Sequence, residues 1–168
     1  ELQIYNDVNG DYDHETLANL TNIQYTSSAS DISECNCYVV AVPTPVNDNN
    51  DPDLSFLYQA SEIVGSILNS GDLVIYESTV YPGVTEDECG RILASVSGLT
   101  YINEVSQNHE KGFYLGYSPE RINPGDKSHG LADVIKITSG STPEIAEIVD
   151  SLYSTIALSG TYRAPSIK

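Results

Sequence analysis

The chain has 168 residues, with 24 acidic side chains against 7 basic ones and a net charge of −17. That length suits one domain burying roughly 70% of its unfolded surface, and the charge argues against general binding to a phosphate backbone. No apolar run is long enough to span a bilayer, the start Glu1-Leu2-Gln3-Ile4-Tyr5 lacks the pattern of a signal peptide, and the lack of any methionine suggests a piece of a longer chain.

Residues 1–34 are polar and weakly patterned, with a short helix expected over 15–20 and a short strand over 23–26. Asn19-Leu20-Thr21 has only the form of a glycosylation sequon, since nothing else points to secretion. The cysteines are Cys35, Cys37 and Cys89; an odd number without framework spacing suggests a reducing compartment. Cys35-Asn36-Cys37 is not a CxxC and has no neighbouring histidine, so no metal site is expected. Tyr38-Val39-Val40-Ala41-Val42 is a continuous apolar run, as in a strand covered on both faces. The polar stretch 47–53 is not a calcium loop. Counted from Asn49, it has Leu54 where glycine is needed and Ala60 where the bidentate acid belongs. Asp51-Pro52-Asp53 reads instead as a helix start, followed by Leu57, Ala60, Val64, Ile67 and Leu68 at helical spacing and Gly71 as a stop. Leu73-Val74-Ile75-Tyr76 is a second buried strand. Thr85 and Glu88 form a capping-box pair ahead of an apolar face of Cys89, Ile92, Leu93 and Val96. Residues 101–112 read as a surface excursion, 113–117 as a third strand and 134–138 as a fourth. Ser141, Thr142, Pro143 and Glu144 open a last helix through Ile145, Ile148, Val149 and Leu152. The alternation predicts an α/β fold with a mainly parallel sheet and helices on both faces.

In such a sheet the carboxyl ends of the strands share one edge, where ligands bind. Three unusual turns fall there. Val42-Pro43-Thr44-Pro45 is a proline-stiffened turn with one hydroxyl. Glu77-Ser78-Thr79-Val80-Tyr81-Pro82-Gly83 places hydroxyls at a strand end. Ser118-Pro119-Glu120 holds a carboxylate on a rigid turn, a candidate acid/base or water-orienting group. Each alone is ordinary loop punctuation. Together they make a rim suited to a ribose, a diphosphate or a nicotinamide ring.

These residues resemble the nucleotide-sugar 6-dehydrogenases of the UDP-glucose/GDP-mannose dehydrogenase family, in particular the branch acting on UDP-N-acetylhexosamines or related uronic acids. The resemblance runs from about Asp31 onward. It rests on Val40-Ala41-Val42-Pro43-Thr44-Pro45-Val46, Pro52-Asp53-Leu54-Ser55, the block from Tyr76 through Thr79 and Pro82 to Glu86, and Gly116-Tyr117-Ser118-Pro119-Glu120-Arg121-Ile122-Asn123-Pro124-Gly125-Asp126. Ser139-Gly140-Ser141-Thr142-Pro143-Glu144 and Ser166-Ile167-Lys168 also fit. It implies a Rossmann-like fold with NAD as cofactor. The activity implied is oxidation of a sugar C6 alcohol to a carboxylate in two hydride transfers, through a cysteine thiohemiacetal and thioester, for surface polysaccharide precursors. By motif, Thr79 would position a catalytic water and Glu120 would activate water for thioester hydrolysis. Val42, Pro43, Thr44, Ser78, Thr79 and Glu120 would contact the cofactor. Glu120, Arg121, Ile122 and Asn123 would contact a UDP-sugar. The resemblance further implies a cytoplasmic homo-oligomer with no nucleic-acid or membrane partner.

The departures carry expectations of their own. No Gly-x-Gly-x-x-Gly occurs in the 168 residues, although the family uses that turn for the pyrophosphate. The cysteines match no nucleophile context of the family, and Lys168 precedes the position of its catalytic lysine. Residues 1–168 therefore read as a partial NAD-binding domain, incomplete at the N-terminus and without the downstream sugar-nucleotide domain. Such a piece is expected to be inert alone and to expose a strand edge. The competing reading, from another class, is a non-catalytic nucleotide-binding α/β module. His14, His109 and His129 are scattered singly; His129, beside the Gly125-Asp126-Lys127 loop, could approach a substrate phosphate but reads first as a surface residue.

Overall fold

The computed structural model describes residues 13–104, 111–120 and 133–168. Its sheet has the order β1-β2-β4-β5-β6, built from β1 (Cys37–Val40), β2 (Leu73–Tyr76), β4 (Gly112–Tyr117), β5 (Lys136–Gly140) and β6 (Thr161–Arg163). A short β3 (Thr100–Tyr101) pairs with the first two residues of β4. The pairings β1–β2, β2–β4, β3–β4 and β5–β6 are parallel, and β4–β5 is antiparallel. The helices are α1 (His14–Ala18), α2 (Ser55–Gly65), α3 (Gly90–Ser97) and α4 (Pro143–Ser154). A mostly parallel sheet with helices on both faces is Rossmann-like, as the alternation of patterns predicts.

Each layer follows from burial. Tyr38, Val40, Val74, Tyr76, Phe113 and Leu115 form a core with Leu57 and Val64 of α2 and Leu93 of α3. The opposite face packs Leu73 and Ile75 of β2 against Ile145, Val149 and Tyr153 of α4. β2 is buried at every position, so its apolar run has no polar alternation. The hydroxyl of Thr142 caps α4 by accepting from the Ile145 amide, with Pro143 in the first turn.

Several local expectations are corrected. The strand expected over 23–26 does not form. Ile23 and Tyr25 are exposed, and the Thr26 hydroxyl accepts from the Ser28 amide while donating to Asp31. Such local bonds compete with a ladder. α2 begins at Ser55 and not at Pro52, because Pro52 bridges to Val46 and the Asp53 amide donates to Pro45 O. Asp53 Oδ1 still accepts from the Ser55 amide, which holds its carboxyl below the usual carboxylate range. Thr85 and Glu88 make no capping box: Val84–Cys89 is a π-helical turn with no side-chain cap, and Thr85 is buried. The Glu88 carboxylate instead receives the hydroxyls of Tyr58 and Tyr81. β5 starts two residues later than expected. Thr100–Tyr101 and Ile102, near the start of the expected surface excursion, belong to the sheet region, with Ile102 buried. β6 has no apolar run, and its last two residues are exposed. Among the described residues no helix is long and apolar enough to cross a membrane.

Candidate functional site

β1, β2 and β4 run parallel, so their carboxyl ends lie on one edge. Backbone pairing continues past the strands: the Glu77 amide donates to Val40 O (2.9 Å), the Ser118 amide to Tyr76 O (2.9 Å) and the Glu120 amide to Glu77 O (3.3 Å). Side chains then lash the turns together. Ser78 Oγ donates to Val42 O at 2.6 Å and Thr44 Oγ1 to Thr79 O at 3.0 Å. The Val80 amide donates to the Tyr117 hydroxyl at 3.4 Å, and Ser118 Oγ donates to Ile137 O at 2.7 Å. Rigid turns result, although proline supplies only part of the rigidity. Gly83, with φ at +101°, lets the chain reverse into the π-helical turn, where a β-carbon would meet Asp87 Oδ2 at 2.9 Å.

The turns enclose a cleft of about 430 Å³ lined by Ala41, Val42, Pro43, Thr44, Glu77, Ser78, Thr79 and Glu120. The candidate residues Val42, Pro43, Thr44, Ser78, Thr79 and Glu120 are thus brought together around one space. Arg121, Ile122 and Asn123 lie outside the described residues, as do His109 and His129. Ser78 is buried, and its hydroxyl proton goes to Val42 O, so it pins the first turn to the second.

Two features escape the sequence reading. Glu77 lines the cleft as a second carboxylate. Behind it, Lys136 of β5 is 1% exposed, with Nζ 3.8 Å from Glu77 Oε2, and the Tyr153 hydroxyl of α4 donates to Glu77 Oε1. Burial and the adjacent Glu77 push the Tyr153 hydroxyl up from its ordinary range. The available signal was a lone lysine between apolar Ile135 and Ile137, since a buried cation requires a partner.

The cleft volume lies within the range of small-molecule sites. Its polar lining of hydroxyls, backbone groups and carboxylates fits a nucleoside with a sugar and an amide-bearing ring. Among the described residues no cluster of three or more histidine, cysteine, aspartate or glutamate side chains could hold a metal ion.

A family model described as "UDP-glucose/GDP-mannose dehydrogenase family, NAD binding domain" matches residues 11–157. The chain belongs to that family. It is 52% identical over its whole length to the UDP-N-acetyl-D-glucosamine 6-dehydrogenase of Salmonella typhi, of which it covers 38%. It is 49% identical over 93% of its length to the enzyme of the same name from Pseudomonas aeruginosa, of which it covers 35%. Among solved structures, a UDP-D-ManNAc dehydrogenase from Pyrococcus horikoshii superposes with a TM-score of 0.75 at 28% identity, covering 91% of this chain and 34% of that one. The chain therefore spans little more than a third of the length of these relatives. The family's NAD-binding domain is the part it matches, and the cleft lies at the carboxyl ends of three of its parallel strands.

Proposed function

We propose that the chain serves as the cofactor domain of an NAD-dependent UDP-N-acetylhexosamine 6-dehydrogenase, which oxidises the sugar C6 alcohol to a carboxylate for polysaccharide precursors. The observation that carries this reading is the convergence of Thr44, Thr79 and Glu120 on one cleft at the carboxyl edge of three parallel strands. The two similar 6-dehydrogenases give the substrate class its support. Bound NAD would supply the hydride acceptor. Val42, Pro43, Thr44 and Ser78 form the wall for its ribose and ring, with the Thr44 and Ser78 protons committed to Thr79 O and Val42 O. Thr79 orients a water, and Glu120 takes the proton from that water during release of the acid. Glu120, Arg121, Ile122 and Asn123 meet the UDP-sugar. The protein works in the cytoplasm as a homo-oligomer, without nucleic-acid or membrane partners. The 168-residue piece lacks a glycine fingerprint and a matching cysteine nucleophile, and is inert by itself.

The test uses the full-length protein with NAD⁺ and UDP-N-acetylglucosamine. Turnover is expected, and Glu120→Gln should lower kcat by about 10²–10⁴-fold. Turnover in that variant within about twofold of the unaltered protein would remove Glu120 from the proposed chemistry. NAD binding without turnover on any UDP-sugar would favour the non-catalytic nucleotide-binding module.

A further inference from the structure

The described part of the cleft wall carries two ionisable groups, Glu77 and Glu120, and both are acids. Glu77 is held from behind. Tyr153, 3% exposed, donates its hydroxyl to Oε1, and Lys136 Nζ approaches Oε2 while standing 5.1 Å from the centroid of the Tyr153 ring. Three elements fix this trio: the β2 end, β5 and α4. Lys136 is placed by its strand, with its amide bonded to Gly160 O and its Cα paired with Thr161. Tyr153 is placed by the α4 core with Val149 and Ile145. Lys136 is buried and does not line the cleft, whereas Glu77 does. Of this ion pair the acid lines the cavity and the cation does not, and the carboxylate cannot swing away without leaving a buried ammonium unpaired.

We propose that Glu77, clamped by Lys136 and Tyr153, forms a fixed anionic floor that selects a positively charged aromatic ring, so that the cleft favours the oxidised pyridinium form of a nicotinamide over the neutral reduced form. This deepens the reading of the cleft as a nicotinamide site and rests on it. A carboxylate facing the ring attracts the cation and has no comparable attraction for the dihydropyridine, and the effect is strongest where water is excluded. The resulting bias would favour release of reduced cofactor, which a protein making two successive hydride transfers needs between them. Lys136 and Tyr153 are positioning residues in this scheme; they act through Glu77.

The experiment measures dissociation constants for NAD⁺ and NADH with the full-length protein, by NADH fluorescence and by competition. Glu77→Gln keeps the shape and the acceptor for Tyr153. It is expected to lower the ratio of the NADH to the NAD⁺ dissociation constant by about threefold to tenfold, chiefly through weaker NAD⁺ binding. Tyr153→Phe, which loosens the carboxylate without removing it, should move the ratio in the same direction by less, and it reads the same quantity if the glutamine variant does not fold. An unchanged ratio, or equal weakening of both forms as a merely structural role would give, overturns the inference while leaving the site assignment intact. Failure of the unaltered protein to bind either form would instead sink the assignment of the cleft itself.

Discussion

Thr44, Glu77 and Lys136 show how single side chains set the geometry of the cleft. Thr44 is half-buried, and its hydroxyl ties the first turn to the second through Thr79 O. Lys136 is a fully buried cation, which is costly without a partner. Lys136→Met leaves Glu77 with Tyr153 alone, and breaking a buried ion pair costs about 3–5 kcal/mol. Glu77 is 23% exposed, which argues for the lower end of that range. Urea denaturation should show the loss, and Lys136→Met combined with Glu77→Gln should recover part of it. Equal midpoints for the single and double variants would show that the two charges are not coupled. The three turns were legible residue by residue because proline, threonine and glutamate at strand ends have few structural uses in that combination. The role of Glu77 was not legible, because its partners lie 59 and 76 positions further along the chain.

Elements were legible where one physical cause dominated. β2 shows four consecutive buried residues, and α4 carries a capping threonine followed by proline. The elements that escaped are those formed by tertiary pairing: β3 with two residues, β6 with a largely exposed face, and the π-helical turn, whose Thr85 and Glu88 mimic a capping box. The antiparallel sense of β5 also lies outside local pattern. It brings Gly140 beside Gly116 and carries the chain directly into α4. Gly140 is required there by close approach. A β-carbon would lie 2.3 Å from the Ala146 amide nitrogen and 2.6 Å from the Ile145 carbonyl carbon. Gly140→Ala should therefore push the first turn of α4 off the sheet and cost about 1–3 kcal/mol or more, seen as a lower Tm. Because α4 carries Tyr153, cofactor affinity should fall with it. A variant of unaltered stability would mean that α4 does not sit where this packing puts it.

At the scale of the molecule, buried neutral acids govern the response to alkali. Burial pushes the Cys89 thiol from its ordinary 9.0 up to about 11, and burial also raises the hydroxyls of Tyr76, Tyr101 and Tyr153. Below pH 9 the thiol is protonated in both folded and unfolded chains. Above it the unfolded chain ionises first, so stability is full below pH 9 and falls as the pH rises towards 11. Thermal melts across that interval should show a steady fall in Tm, and a flat profile would contradict the burial of these groups. The same large-scale view explains why fold and site were readable together: parallel β1, β2 and β4 necessarily bring their carboxyl ends to one edge.

The most direct test is a crystal structure of the full-length protein with NAD⁺. The nicotinamide ribose is predicted to lie between Pro43-Thr44 and Ser78-Thr79, with the ring facing Glu77 and the Glu120 carboxylate beside it. Cofactor bound at another edge of the sheet, with this cleft filled only by solvent, would contradict the account.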